Sequence, residues 1–271
     1  EIRAEREQAN EDIAARMSAA RQEAEALRKE MAEMRRQLGE DDELDWKDER
    51  ALEELMKRQE SLKSALEELQ KANKEKDERA NEFSPEEERI IEKQEQLQEL
   101  MEQVMNDELK AMYDEMQKLM EQMDPEMMEE MQEQLESMEV DQESLEKELD
   151  RALEQFKQLE YEVNLEEALD DLKELAEKQE ALAEETANES SPNDSLSAQQ
   201  DSLNQEFQAL QERLDELDKS NEELENPNPV MERSDENESI EEKMSDSSEQ
   251  LKQDKNKKAS ENQQDAADEM K

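Results

Sequence analysis

Apolar residues recur along most of this chain at alternating intervals of three and four positions. This spacing places them on one narrow side of an α-helix, as in coiled coils and helical bundles. Short polar stretches separate the periodic runs, and they contain residues that begin or end helices. The pattern predicts an all-α protein of about six to eight helices, built as extended antiparallel hairpins or a coiled-coil-like bundle without a sheet.

The first two periodic runs predict an antiparallel helical hairpin over residues 1–83. Gly39 follows the first run, where a helix commonly ends in a left-handed turn, and Asp45 is placed to cap the second. Two helices of similar length joined by a short loop favour antiparallel pairing. Gln59 and Asn73 lie on the second stripe, where polar residues cost stability and fix register. The predicted seam residues of this hairpin are Ile13, Met17, Leu27, Met31, Leu38, Leu52, Leu55, Leu62, Leu66 and Leu69.

Residues 84–187 predict a helical segment rich in Met and Leu. Ser84 and the proline after it form a strong helix start, because Ser caps a helix and Pro suits its first position. Pro125 restarts the chain, and Asp141 is placed to cap a further helix. Asn164 is either another cap or a kink in a continuous helix.

The remaining residues predict two linkers and two helices. A linker covers 188–195, a heptad helix 196–225, a second linker 226–239, and a weakly apolar helix 240–271. Prolines and clustered small polar residues mark both linkers. The predicted seam residues of the heptad helix are Leu203, Phe207, Leu210 and Leu214.

The composition supports helices and disfavours strands. Charged residues make up 44 % of the chain, aromatic residues 2 %, and there is a single Gly. Aromatic residues favour strands and Gly favours tight hairpin turns, so this composition disfavours both structures. The formal net charge is −50, which lies near the composition of disordered chains. We therefore expect thin seams rather than a thick core, and a chain that orders only within its full protein remains an alternative.

The charge also limits the partners. Repulsion opposes contact with nucleic acid and with anionic membrane surfaces. A basic protein would suit the charge, although a solvated acidic surface is the simpler interpretation. The arginines are concentrated in the first helix, and we expect Arg28, Arg35 and Arg36 to pair with acidic helices and fix their order.

Residues for catalysis or for a cofactor are lacking. The chain contains no His and no Cys, so it lacks the commonest general base, metal ligand and thiol nucleophile. Paired carboxylates such as Asp170 and Asp171 are frequent, but nearly all the acidic residues lie off the apolar stripe, where they should be solvated, whereas acid catalysis needs one buried carboxyl beside an ionised one. The acidic stretch 40–43 lacks the ligand spacing of a calcium loop. The sequence predicts no enzyme, no catalytic residue, no cofactor and no metal site.

Methionines are concentrated in one part of the chain: ten of the 17 lie between Met101 and Met138. Thioethers on a helix usually serve as adaptable packing material. They also allow a groove to accept varied hydrophobic segments, and they bind Cu(I), which is the weakest of the three interpretations. A methionine groove would comprise Met112, Met116, Met120, Met123, Met127 and Met131.

Several strings in a fixed order carry a resemblance to a known group of proteins. They are Glu43-Leu44-Asp45-Trp46, Leu149-Asp150-Arg151 followed by Phe156-Lys157-Gln158-Leu159-Glu160, and Leu172-Lys173-Glu174-Leu175-Ala176-Glu177-Lys178-Gln179-Glu180 followed by Ala183-Glu184-Glu185-Thr186. The chain resembles the helical region of large membrane-anchored proteins of uncharacterised function from Bacteroidota, with more distant relatives in alphaproteobacteria. The resemblance continues through Phe207 and Leu214 to Lys257-Lys258-Ala259-Ser260.

The resemblance implies membrane segments elsewhere in a longer parent protein and a place at the cell envelope. This chain has no run of about 20 apolar residues that could span a bilayer and no signal peptide pattern. Some members of the group are labelled ATPases, but one Gly cannot form a phosphate-binding loop. The preferred function is a scaffold that associates with itself or with other helices. The alternative is a chaperone-like module that uses the methionine groove.

Overall fold

The computed structural model of this chain describes residues 2–40, 46–83, 88–104, 114, 117–118, 128–230 and 233–271. In these ranges the chain forms helices and turns without any strand, which confirms the all-α prediction. No helix in the described ranges is both long enough and apolar enough to cross a bilayer. The helices are α1 (Ile2–Glu40), α2 (Trp46–Phe83), α3 (Glu88–Val104), α4 (Met128–Ala187), α5 (Asn193–Glu222), α6 (Ser234–Lys252) and α7 (Asn256–Met270).

The chain divides into two compact units, Glu1–Leu159 and Glu160–Lys271. Helix α4 contributes its first part to the first unit and its second part to the second unit.

In the first unit, α1 runs antiparallel to the first part of α4. Arg28 of α1 pairs with Glu146, and Arg35, later in α1, pairs with the earlier Glu139. Helix α2 runs parallel to α4, because Gln59 contacts Gln142 and Lys76 lies over the Phe156 ring. Helices α1 and α2 are consequently antiparallel to each other, and α3 packs beside α2.

Helix α4 is continuous through both positions where the sequence suggested an interruption. The start predicted at Asp141 is wrong, and Asn164 lies inside the helix. Gln142 explains the continuity, because it fills the seam position between Met138 and Leu145 and is only 1 % exposed. The heptad therefore passes unbroken through this region, and one interior Asp costs a helix only a few tenths of a kcal/mol.

The second unit is a four-helix bundle in which each helix runs antiparallel to the next. Helix α7 returns to lie beside α4. For each pair of successive helices, side-chain contacts at two levels establish these directions, and one contact joins α4 to α7. The pairs are Glu167–Arg213 and Gln179–Gln200 for α4 and α5, Asp201–Ser248 and Asp218–Arg233 for α5 and α6, Lys243–Glu269 and Ser247–Ala259 for α6 and α7, and Glu180–Lys271 for α4 and α7.

The single weak helix predicted over 240–271 is instead two helices, α6 and α7. A turn at 253–255 separates them, and Asp254 adopts a φ of 56° there. Asp is among the few residues other than Gly that enter this left-handed region readily. The turn was missed because it contains neither Gly nor Pro.

The link between α5 and α6 is tied to the bundle by Asn221, which is 2 % exposed. Its Oδ1 accepts a hydrogen bond from the backbone N–H of Asn228 at 2.7 Å, and its Nδ2 donates to the Asn228 carbonyl at 2.9 Å. This asparagine at a seam position therefore fixes the start of the predicted linker.

Candidate functional site: the helix seams and their polar positions

The predicted seam residues of α1 and α2 are buried within the first unit. None of the ten exposes more than 6 % of its surface. Helix α4 contributes buried residues at the same intervals, including Met131, Leu135, Leu145 and Leu149. These seams are therefore filled by helices of the same chain, and their apolar surface is not available to another molecule.

The four predicted seam residues of α5 lie in two apolar clusters of the second unit. Leu203 and Phe207 belong to the cluster that includes Leu196, Ile240 and Met244. Leu210 and the half-buried Leu214 belong to the other cluster, which contains Tyr161, Ala168, Leu217 and Leu224. Both clusters draw residues from more than one helix of this unit.

Three arginines of α1 at seven-residue intervals pair with acidic residues of α4. Arg21, Arg28 and Arg35 lie along the side of α1 that faces α4, which confirms the pairing predicted for Arg28 and Arg35. Their partners are Asp150 for Arg21, Glu146 for Arg28 at 2.6 Å, and Glu136 and Glu139 for Arg35 at 3.2 and 3.1 Å. The hydrogen bond to Glu146 raises the pKa of the Arg28 guanidinium.

The prediction that Arg36 pairs with another, acidic helix is wrong. It pairs with Glu33 of its own helix at 3.7 Å, and its side chain is 70 % exposed. Because it follows Arg35 by one residue, it lies about 100° further round the helix and off the line of the other three arginines.

Between α1 and α2, the arginine belongs to α2 and its acidic partners belong to α1. Arg58 donates from Nε to Glu23 at 2.7 Å and from Nη1 to Glu30 at 2.6 Å. These two hydrogen bonds raise the pKa of Arg58. Glu23 and Glu30 are seven residues apart, so the ion pairs and the apolar seam follow the same interval.

The second unit has a comparable ion-pair group between α4 and α5. The guanidinium of Arg213 pairs with Glu167 and with Asp171, each at 2.8 Å. Only 19 % of the Arg213 side chain is exposed, so solvent screens these pairs less than an ordinary surface pair.

Polar residues at the seams of the first unit are paired, either with another helix or within their own helix. The Gln142 amide donates a hydrogen bond to the Gln59 carbonyl oxygen, and both residues are buried. Asn73, which is fully buried, donates to the Asp77 carboxylate at 3.2 Å. The polar seam positions predicted at Gln59 and Asn73 are therefore buried, whereas Gln142 was missed.

A nearly buried charge pair adjoins Asn73. Lys76 Nζ lies 3.5 Å from Asp77 Oδ1 and 4.7 Å from the centre of the Phe156 ring. The two charged side chains are 8 % and 14 % exposed. Burial raises the pKa of Asp77, and the charge of Lys76 opposes this shift.

Three fully buried glutamines form a polar layer inside the second unit; we call Gln179, Gln200 and Gln263 the amide layer. Gln179 and Gln200 exchange hydrogen bonds at 2.9 and 3.0 Å. Gln263 Nε2 donates to the Gln200 oxygen at 2.9 Å, and Gln200 also donates to Asn204 at 2.9 Å. Amides neither ionise nor attack substrates, so the arrangement aligns helices rather than performing chemistry.

The predicted methionine groove falls mostly outside the described residues. Met131 is 1 % exposed and lies in the first unit. The remaining predicted groove residues, Met112, Met116, Met120, Met123 and Met127, lie outside the described residues, as do residues 41–43 of the acidic stretch. Among the side chains that the structure describes, no group of three or more acidic residues could hold a metal ion.

Comparison with models of known protein families, with curated proteins and with solved structures gives no significant match. The function must therefore be inferred from the residues and contacts of this chain.

Proposed function

We propose that this chain is a non-catalytic structural segment of a bacterial cell-envelope protein, acting as a helical spacer or scaffold. The main support is the burial of the seams: all ten predicted residues of α1 and α2 are at most 6 % exposed. The Arg58 contacts to Glu23 and Glu30 repeat at the same interval as the apolar residues. A module of this kind serves by holding a fixed shape, and it contacts itself or other helices through its remaining surfaces.

The envelope location and the membrane anchor are inferred from the resemblance to membrane-anchored proteins of Bacteroidota. In this proposal the anchor belongs to another part of the parent protein, and this segment is a soluble part of an inner-membrane-anchored protein. A net charge of −50 opposes direct contact with anionic lipid and with nucleic acid. The partners are therefore proteins.

The absence of catalysis is supported by residue chemistry. The chain has no His and no Cys to act as base, nucleophile or soft metal ligand. The amide layer, whose three glutamines are fully buried, has no ionisable member. No cofactor is needed for a role that depends on shape alone.

The second candidate is a chaperone-like module that binds hydrophobic segments of other proteins. It is favoured by the ten methionines between Met101 and Met138, since flexible thioethers adapt to varied partners. A client binder needs accessible apolar surface, whereas a spacer has its apolar surface covered at rest.

Dye binding separates the two functions. We expect the full chain to leave the fluorescence of a hydrophobic dye at its background level and not to suppress aggregation of a test protein. The variant Leu27→Gln, which places a polar group at a fully buried seam position, should increase dye binding and so serves as the positive control.

A triple variant, Met116→Gln with Met120→Gln and Met123→Gln, tests the methionines directly. If the unaltered chain binds dye and suppresses aggregation, and the triple variant loses both effects at unchanged helicity, the chaperone-like function replaces the spacer.

A further inference from the structure

Helix α7 is held in the second unit by unusually little apolar surface. It has 15 residues, and an isolated helix of that length is marginal in water. Its buried residues are Ala259, Gln263, Ala266, Ala267 and Met270, so only one of the five is a large apolar side chain. Its position therefore depends strongly on polar contacts with its neighbours.

The surface beneath α7 requires a helix with specific polar groups. The Gln200 oxygen accepts a hydrogen bond from Gln263 Nε2 at 2.9 Å in a fully buried site. If another helix without an amide at the position of Gln263 occupied this site, the buried Gln200 oxygen would lose this donor, which would cost free energy. Nearer the end of the helix, Lys271 pairs with Glu180 at 2.6 Å and Glu269 pairs with Lys243. This combination of an amide and two charges matches the sequence of α7 itself.

The start of α7 is poorly formed as a helix start. Lys255 occupies the cap position without a side-chain hydrogen bond, and the first turn contains no acidic residue. Lys257 and Lys258 place positive charge at the positive end of the helix, which is unfavourable. These residues are better suited to the interior of a longer helix than to its first turn.

The turn before α7 could become helical. Residues 253–255 contain neither Gly nor Pro, and Asp254 is held at a φ of 56°. Asp enters the left-handed region more readily than most residues other than Gly, but still at a cost in free energy that a continuous helix would recover. A helix running from Ser234 to Met270 would carry Ala259 about 80° round the axis from Leu251, so the buried faces of α6 and α7 would lie about a quarter of a turn apart.

We propose that α7 is exchangeable: the 253–255 turn straightens, and α7 occupies the corresponding groove of a second copy of this chain. Each copy then supplies Gln263 to the amide layer of its partner, and the two chains regain the contacts that each loses. Exchange of an identical element is an established route to symmetric dimers, and strained short turns favour it. The exchange does not depend on the spacer role.

Isotope mixing tests the exchange on the full chain. Equal amounts of unlabelled and ¹⁵N-labelled chains are unfolded together, refolded at high concentration and separated by size. A zero-length carbodiimide cross-linker then joins Lys243 to Glu269. In the dimer fraction, we expect about half of the Lys243–Glu269 cross-links to contain one labelled and one unlabelled chain, as random pairing requires. A dimer without mixed cross-links at this pair would overturn the proposal.

Turn variants give the second measurement. Asp254→Ala should increase the dimer fraction, because Ala is costly in the left-handed region and favourable in a helix. Asp254→Gly should decrease it, because Gly adopts that region freely. Each dimer straightens two such turns, so the dimerisation equilibria of the two variants should differ by roughly thirtyfold or more. Asn193→Ala is the matched control, since it removes only the 2.7 Å hydrogen bond from Asn193 to Asp254.

A peptide of residues 256–270 tests the specificity of the groove. Added in excess during refolding, it should reduce dimer formation, and the same peptide with Gln263→Leu should reduce it less. Refolded protein that stays monomeric, both unaltered and as Asp254→Ala, contradicts the exchange. That result leaves the dye and helicity predictions for the spacer unaffected.

Discussion

At the scale of single residues, buried amides occupy seam positions in both units. Gln59 pairs with Gln142 in the first, and the amide layer joins three helices in the second. Each amide has a partner on another helix, and removing one partner leaves a buried polar group at a cost of about 1–3 kcal/mol. A register shift would break such pairs, so they favour one alignment over others that bury similar apolar area.

The Lys76–Asp77 pair differs from the amides because its protonation changes with pH. Burial raises the pKa of Asp77, so the folded state holds a proton on this carboxyl more tightly than the unfolded state does. The resulting contribution to stability is largest below the unfolded pKa of about 3.9 and is lost as the pH rises through the folded pKa.

The variant Asp77→Asn tests this linkage. The free energy of unfolding of the unaltered chain, minus that of the variant, should increase as the pH is lowered from about 7 to about 4. Urea titrations followed by circular dichroism at several pH values measure the difference. Glu78→Gln, at an exposed carboxylate of the same helix, controls for the loss of one negative charge and should show a smaller slope. A difference that stays constant or decreases toward low pH contradicts the assignment.

Seam polarity could be predicted where strong apolar residues surround it. Gln59 lies between Leu55 and Leu62, so its burial followed from the heptad. Gln263 was missed because its neighbours on the buried face are Ala259 and Ala266, which give only a weak apolar signal. The pairing of one amide with another is a tertiary contact, and spacing along a single helix does not contain it.

At the scale of helices, flanking charges select which surfaces meet. Arg21, Arg28 and Arg35 of α1 pair with acidic residues of α4. Arg58 of α2 pairs with Glu23 of α1. Exposed ion pairs contribute little stability, so their main effect in so acidic a chain is on the choice of neighbour. The arginine-rich composition of α1 made this pairing predictable, but only the structure separates Arg35 from Arg36.

Charge reversal tests this role. The triple variant Arg21→Glu, Arg28→Glu and Arg35→Glu should lose roughly 0.5–1 kcal/mol of unfolding free energy for each pair, with repulsion adding to the loss. Denaturant titration and limited proteolysis measure it. Arg36→Glu is the control, with an expected change below about 0.5 kcal/mol.

A charge-swapped chain distinguishes pairing from net charge. Adding Asp150→Arg, Glu146→Arg and Glu139→Arg to the triple variant restores opposite charges across α1 and α4 and should recover most of the loss. Unchanged helicity and protease resistance in the triple variant, or no recovery in the swapped chain, would show that these arginines do not select the neighbour.

Helix boundaries were predictable only where Gly, Pro or clustered small residues mark them. The end of α1 near Gly39 and the break around Pro192 were found in this way. The left-handed turn expected at Gly39 is wrong, because Gly39 lies inside α1 and does not have a positive φ. The turn at Asp254 escaped detection, because its conformation depends on the packing of α6 against α7 rather than on a residue with a strong turn preference. At Asp141 the sequence predicted a boundary where none exists, because Asp often caps the start of a helix. Such a residue is tolerated in the interior of a helix at little cost.

At the scale of the whole molecule, two helical units each bury their own seams. The seven-residue interval made the fold class predictable, because no other regular structure has this period. The division between Leu159 and Glu160 was not predicted, since both residues lie inside α4. Which helices fill which seams depends on long-range contacts such as Arg28–Glu146, which lie far apart in the sequence.

The seams in the described part of the chain are filled by helices of the same chain. Circular dichroism and light scattering on freshly prepared full chain, across several decades of concentration, test this directly. We predict high helicity that is the same at every concentration, with the mass of one chain in the dilute samples. Helicity that increases together with mass would show that the seams close only between chains, and low helicity at every concentration would show that they require another protein.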